Sequence, residues 1–199
     1  MRHIDRMILA LSRVARPVLE AEGLQATCCV AATHAGLDVL KAWGVKAKPA
    51  LVEAYACNKV WLDGTGIPGS AYCVAIDKDS EGEGLNGHLV ILGKTTKRHF
   101  LLDLSAWQMD RPQKKIIVPT GVLIDTHGPL MPGWATYAPL PQDGKVFYQE
   151  HPAPAQARWQ NAGDWRLPTP KHRELHAATV RNLRDVAERL STGLEEARP

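Results

Sequence analysis

Apolar residues recur at helical spacing along the start of the chain, at Ile4, Met7, Ile8, Leu11, Val14, Ala15, Val18 and Leu19. That stripe predicts an amphipathic helix over 4–22, which Pro17 should kink or split and Gly23 should end. A second helix is predicted over 28–43, with Thr27 as N-cap and Gly44 just past its end. Its inward face would carry Val30, Thr33, Leu37 and Leu40. From Lys46 the period shortens, and strands are predicted at 49–57, 71–77, 87–93 and 98–104, with shorter ones at 115–118 and 121–124. Residues 77–87 (DKDSEGEGLNG) are acidic and glycine-rich; Asp77, Asp79, Glu81 and Glu83 do not match an EF-hand, so the run is read as a solvated turn. Residues 119–170 are rich in proline and tryptophan, and within them 134–140 and 145–150 flank Pro-Gln-Asp-Gly, a hairpin signal. Leu175, Thr179, Leu183, Val186, Leu190 and Leu194 then mark one side of a final helix over 171–196. Arg181/Asp185 and Arg184/Glu188 are i,i+4 pairs on its wet side.

Composition changes this picture little. The 199 residues suit one domain, with a core region at 25–105, a loop and hairpin region at 106–170 and the last helix at 171–196. The chain is 45% hydrophobic and 23% charged, and its net charge of +3 is scattered, a balance that neither demands nor excludes nucleic acid; neither nucleic acid nor a membrane is expected as a partner. The apolar run at residues 7–11 is too short for a signal-peptide core or a membrane span, and a cytoplasmic location is expected. Four cysteines (Cys28, Cys29, Cys57 and Cys73) lack CxxC spacing and the density of a disulfide scaffold, so reduced thiols are the default.

Chemistry enters at the second helix. A cysteine at a helix N-terminus meets unpaired N–H groups and the positive end of the helix dipole, which favour thiolate. Cys28 and Cys29 both qualify by position, and the same N–H groups suit the oxyanion of a tetrahedral intermediate. A hairpin centred between Thr95 and Thr96 would set Leu92 opposite His99, Val90 opposite Leu101 and His88 opposite Asp103. Directly opposed residues share a face, so His88 would lie beside a carboxylate able to orient and charge its ring. Asp103 follows Phe100-Leu101-Leu102, where a buried carboxylate needs a partner. The apolar remainder of that face (Val90, Leu92, Leu101) requires a cover, for which the cysteine helix is the expected element.

The stretch CVAATHAGLDVLKAWGVKAK resembles the cysteine helix of transglutaminase-like proteins and arylamine N-acetyltransferases. Leu40-Lys41-Ala42-Trp43-Gly44 fills the family pattern leucine-arginine-alanine-leucine-glycine at that helix's end, and counting back selects Cys29 over Cys28. GHLVIL and HFLLDLS resemble the strand pair that carries the family's histidine and aspartate. The resemblance covers residues 25–105 and implies an α+β, papain-like or transglutaminase-like fold, with the cysteine helix packed on an antiparallel sheet between N- and C-terminal helices. It implies Cys29 as nucleophile, His88 as base and then acid, and Asp103 as the orienting carboxylate. Cys29 is not followed by the tryptophan of animal transglutaminases, nor preceded by the arginine-glycine-glycine of the acetyltransferases. His88 is followed by Leu89-Val90 rather than alanine-tryptophan, so the branch stays open.

The function expected is acyl transfer from an amide, ester or thioester through a cysteine thioester, ending in hydrolysis or transfer, with no cofactor and no metal. Gln25 and Asn86 are oxyanion candidates, and His99 is a fallback base. His34, Cys57 and Cys73 are read as structural or surface residues, and Trp61, Trp107 and Trp134 as core or loop anchors. Two other readings stand beside this one: a non-catalytic binding or assembly module on the same fold, and a zinc hydrolase, for which the chain lacks CxxC and HExxH.

Overall fold

Both N-terminal helices end where their glycines stand. In the computed structural model, which describes residues 3–24, 29–64, 70–76, 87–151 and 170–196, α1 spans His3–Ala21 and α2 spans Cys29–Ala42. Gly44 has a φ of +70°, and Gly44 N–H donates to Lys41 O while Val45 N–H donates to Leu40 O. Gly23 closes α1 in the same way, through bonds to Glu20 O and Leu24 to Leu19 O. These paired bonds satisfy carbonyls that a helix end would otherwise orphan. The expected break at Pro17 does not occur: α1 runs through it as one helix. Pro17 and Arg13 both lie on the exposed side, where water can take up the carbonyl that proline leaves without its bond.

The strands are β1 (Lys46–Cys57), β2 (Cys73–Ile76), β3 (His88–Lys94), β4 (His99–Asp103), β5 (Val122–Asp125), β6 (Ala135–Pro139) and β7 (Lys145–Glu150). The expected strand at 115–118 is absent; Ile116 makes only an isolated bridge to Arg111. A short helix that the apolar pattern did not signal, α3 (Lys59–Asp63), is capped by Asn58, whose side chain accepts from Trp61 N–H, and it ends at Gly64 with φ +63°. The last helix, α4, spans Pro170–Glu196. The i,i+4 pairs expected on α4 are replaced by other contacts. Arg184 meets its neighbour Asp185, and Glu188 accepts from the Trp43 indole at 2.8 Å, tying α4 to the end of α2.

All seven strands form one antiparallel sheet in the order β5-β4-β3-β1-β7-β6, with β2 beside the second half of β1. The sheet curls until β5 and β6, at opposite ends of that order, meet again. The curl creates two cores. Inside it lie Ala50, Val52, Val90, Leu101, Val122, Val146 and Tyr148. Outside, α1, α2 and α4 pack over Ile91, Phe100 and Leu102 with Ile8, Leu11, Leu19, Val39, Leu40 and Leu183. The architecture is therefore mixed α and β: a nearly closed antiparallel sheet flanked by helices. Among the described residues no helix is long and apolar enough to cross a membrane.

One expectation about this packing is corrected. The face carrying Val90, Leu92 and Leu101 is covered by the opposite wall of the curled sheet, not by the cysteine helix. Helix α2 covers the other face, over Leu89 and Ile91. Gly36 on α2 gives that approach its closeness, since a Cβ there would lie 2.7 Å from Ile91 Cδ1 and 2.4 Å from Leu104 Cδ1.

Gly93 serves a similar purpose within the sheet. It pairs with Phe100 across β3 and β4, and the Phe100 ring lies over its Cα so closely that a Cβ would fall 2.1 Å from Cζ. Because Phe100 is itself buried, the ring has nowhere to retreat. Gly93→Ala should therefore lower stability by about 1–3 kcal/mol, read as a reduced urea midpoint with unchanged m-value.

Candidate active site

The hairpin of β3 and β4 sets the first two site residues. Its turn starts one residue later than the symmetric reading placed it. Thr95 N–H donates to Arg98 O, and Thr95 Oγ1 accepts from the N–H groups of Lys97 and Arg98. A threonine side chain that stabilises a turn in this way competes with the ladder for the same backbone groups. The consequence is a register shifted by two: Lys94, not Leu92, faces His99, and Leu92 faces Leu101. A shift of one would have sent every side chain to the other face, whereas a shift of two preserves the face. His88 and Asp103 are accordingly diagonal neighbours, and both lie at the end of the sheet interior.

They meet there. His88 Nε2 is 2.7 Å from Asp103 Oδ2, with both side chains fully buried. A carboxylate only accepts, so Nε2 carries the proton. Asp103 is also held from three other donors: Oδ1 accepts from Ser105 N–H at 2.9 Å and Ser105 Oγ at 3.2 Å, and Oδ2 accepts from the Tyr148 hydroxyl at 2.9 Å. Four hydrogen bonds offset the cost of taking this charge out of water. Burial and the negative charge of Asp103 together push the Tyr148 hydroxyl well above its ordinary pKa, so it stays a donor.

Cys29 arrives from the other side of the sheet. It is the first residue of α2 and packs with Val30 against Leu51 and Leu89, at the rim where β3 begins. One turn further on, Thr33 Oγ1 donates to Leu89 O at 3.2 Å and pins α2 to β3. Nδ1 of His88 is buried without a well-aligned partner among the described residues. That nitrogen is left to the Cys29 thiol, whose interaction with the ring shifts both groups. A loose thiol–imidazole contact beside a tight imidazole–carboxylate bond is common before substrate binds.

The electrostatics favour a charged pair. Burial by itself raises the Cys29 thiol, but the His88 hydrogen bond, the ring's charge and a backbone bond from Leu89 outweigh it and bring the pKa below its ordinary value. For His88, burial works against the imidazolium, yet the charge and hydrogen bond of Asp103, with help from Cys29, raise it from 6.5 to about 10. The His88 ring thus carries its charge near neutrality, and that charge in turn favours ionisation of the Cys29 thiol.

Gly87, immediately before His88, has a φ of +128°, and a Cβ there would lie 2.9 Å from Nε2 of His151. Glycine is required at this point both by the backbone and by the approach of the buried His151 ring. Ser105, Tyr148 and His151 were not anticipated. Asp103-Leu-Ser105 is a local signal for the first, since a serine two residues after an aspartate readily closes on its side chain. Nothing in sequence links Tyr148 or His151 to the site, because they lie in and just past β7, more than 40 residues beyond Asp103.

The oxyanion candidates Gln25 and Asn86, the alternative thiol Cys28 and the cap Thr27 lie outside the described residues. His99 is not a fallback base: it stands opposite Lys94 at the far end of β3, roughly 20 Å from His88 at strand rise. There it lines a separate cleft of about 410 Å³ with Lys48, Leu92, Trp134 and Glu150. His34 sits half-buried on α2, edge-to-face with His176 of α4 at 6.2 Å, while His176 contacts Asp38 at 2.8 Å. Trp107 and Trp134 are buried anchors, and Trp61 is exposed on α3. Among the described residues no three His, Cys, Asp or Glu side chains converge as a metal site. Compared with family models, with curated proteins and with solved structures, the chain finds no match.

Two measurements test the buried network. Tyr148→Phe removes one donor to a charged acceptor and should cost about 1.5–3 kcal/mol in urea unfolding. Because the folded state raises the pKa of His88 from 6.5 to about 10, its contribution to stability is full below pH 6.5, falls as pH climbs and is gone above about 10. Unfolding measured across that range should show a slope of up to about 1.4 kcal/mol per pH unit that disappears in Asp103→Asn.

Proposed function

We propose that this chain is a cysteine-nucleophile acyl-transfer enzyme of the papain-like, transglutaminase-like kind, with Cys29 as nucleophile, His88 as acid–base group and Asp103 as orienting carboxylate. The observation that carries the reading is the buried 2.7 Å bond between His88 and Asp103, formed where the first residue of α2 brings a thiol to the same ring. A structural histidine at full burial is served equally well by a carbonyl and needs no thiol with a lowered pKa beside it. The chain order of cysteine helix, histidine strand and aspartate strand, with the helix packed on an antiparallel sheet, supports the finer fold assignment.

In the reaction, Cys29 Sγ attacks the carbonyl carbon of an amide, ester or thioester and forms a tetrahedral oxyanion. N–H groups in the first turn of α2 would serve as oxyanion donors. As the intermediate collapses, His88 gives its Nδ1 proton to the leaving amine, alcohol or thiol, and the acyl group remains on sulfur as a thioester. Water or an amine then attacks that thioester while His88 takes the attacking proton, and the Cys29 thiolate leaves. Asp103 keeps the ring oriented and the imidazolium stable throughout, and stays ionised. Hydrolysis and transfer use the same residues and differ in which acceptor reaches the thioester. None of these steps requires a cofactor; an acyl-CoA donor would serve in an acetyltransferase-like variant.

The test is alkylation of each cysteine as a function of pH, followed by mass spectrometry. Cys29 should label fastest, with a midpoint below the ordinary thiol range, and His88→Ala should slow it at pH 7 by about tenfold or more. Labelling at Cys29 no faster than at Cys73, and indifferent to His88→Ala, would overturn the triad and leave a non-catalytic binding module on this fold.

A further inference from the structure

A second pair of thiols stands apart from the candidate active site. Cys57 ends β1 and Cys73 begins β2, and the two are direct partners in the antiparallel ladder. Their sulfurs are in thiol–thiol contact at 2.9 Å. Opposed residues in such a ladder hold their Cα atoms roughly 4.5–5.5 Å apart, within the roughly 4.4–6.8 Å that a disulfide spans. Asn58, next to Cys57, ties together the described residues around the pair. Its Nδ2 donates to Ser70 O and Lys114 O, and its Oδ1 accepts from Trp61 N–H and Tyr72 N–H. Closing the bond therefore requires the two sulfurs to approach by only about 1 Å more.

From this geometry we infer that Cys57 and Cys73 are a reversible dithiol–disulfide couple, oxidised by small-molecule disulfides of the glutathione type and stapling β2 to β1. The inference does not depend on the proposed acyl-transfer chemistry. Cys73 is partly exposed and Cys57 fully buried, which sets the order of events. Cys73, as thiolate, attacks one sulfur of the reagent; the reagent's S–S bond breaks, and one thiolate leaves and takes up a proton. Cys57 then loses its proton to solvent and attacks Cys73 Sγ, expelling the second reagent thiolate. Two protein thiols and one small disulfide become one protein disulfide and two small thiols, with two electrons passed to the reagent. Burial, followed by the bond to Cys73, raises the Cys57 thiol, so it reacts as the second, intramolecular partner rather than with solvent reagents. Cys29 is not the resolving thiol, because Leu51, against which it packs, lies six residues before Cys57 on β1, roughly 20 Å away.

The experiment equilibrates the whole chain in buffers of graded reduced-to-oxidised glutathione, quenches with acid, alkylates and maps peptides without reduction. One cross-link, Cys57 to Cys73, should appear with the loss of two hydrogens and disappear when the buffer is made reducing, while Cys29 takes no part in it. In Cys57→Ser the glutathione adduct should accumulate on Cys73; in Cys73→Ser, Cys57 should stay unmodified until the protein is unfolded. Full alkylation of Cys57 and Cys73 in the most oxidising buffer, or a cross-link through Cys28 or Cys29 in their place, overturns the inference. Because the wild-type map decides by itself, the result stands even where a serine variant fails to fold.

Discussion

A carboxylate with no exposure to water has to be paid for by its neighbours, and Asp103 is such a group. Its two oxygens take four hydrogen bonds from Ser105, His88 and Tyr148. Those donors come from β3, from the residues just after β4 and from β7, so the charge can be buried only when three separated parts of the sheet are drawn to one point. A flat sheet in this strand order would leave β7 two strands away from β3, with β1 between them. The curl that brings β5 and β6 together also turns the interior faces of β3, β4 and β7 toward one another.

That curl in turn decides where the helices pack. With the interior filled by the sheet's own side chains, only the outer face is left for α1, α2 and α4. Cys29 reaches the His88 ring because α2 begins at the rim, where inner and outer faces are close together. Gly36, the Thr33–Leu89 bond and the contacts to Leu51 and Leu89 hold it there. Charge on the His88 ring is then favoured by arrangement: the imidazolium answers a buried carboxylate on one side and draws down the pKa of a thiol on the other. The acyl-transfer proposal rests on this arrangement, and the dithiol proposal on a ladder pairing well outside it.

Much of this was legible locally. Helical periodicity located α1, α2 and α4, with terminal glycines marking the ends of the first two; apolar runs located β1 to β5 and the hairpin signal β6 and β7, with β1 beginning three residues earlier. The pairing of His88 with Asp103 survived an error in the turn because the error was even. Thr95 Oγ1 moved the turn by one residue, and the two side chains stayed on one face at diagonal spacing. Pro17 misled because its cost depends on exposure, which the local pattern records only indirectly.

What the sequence by itself determined is therefore what depends on spacing along the chain: the elements, their faces, the helix-terminal position of Cys29 and the shared face of His88 and Asp103. Tertiary structure alone decided which surface covers which. It turned the His88 face inward against the sheet's far wall, and it brought Tyr148 to Asp103 and His151 to Gly87 from a strand that no local pattern connects to them. It also set Cys57 against Cys73. The physical reason is common to all of these: periodicity is a property of one segment, whereas closure of a sheet and neutralisation of a buried charge are properties of segments meeting across it.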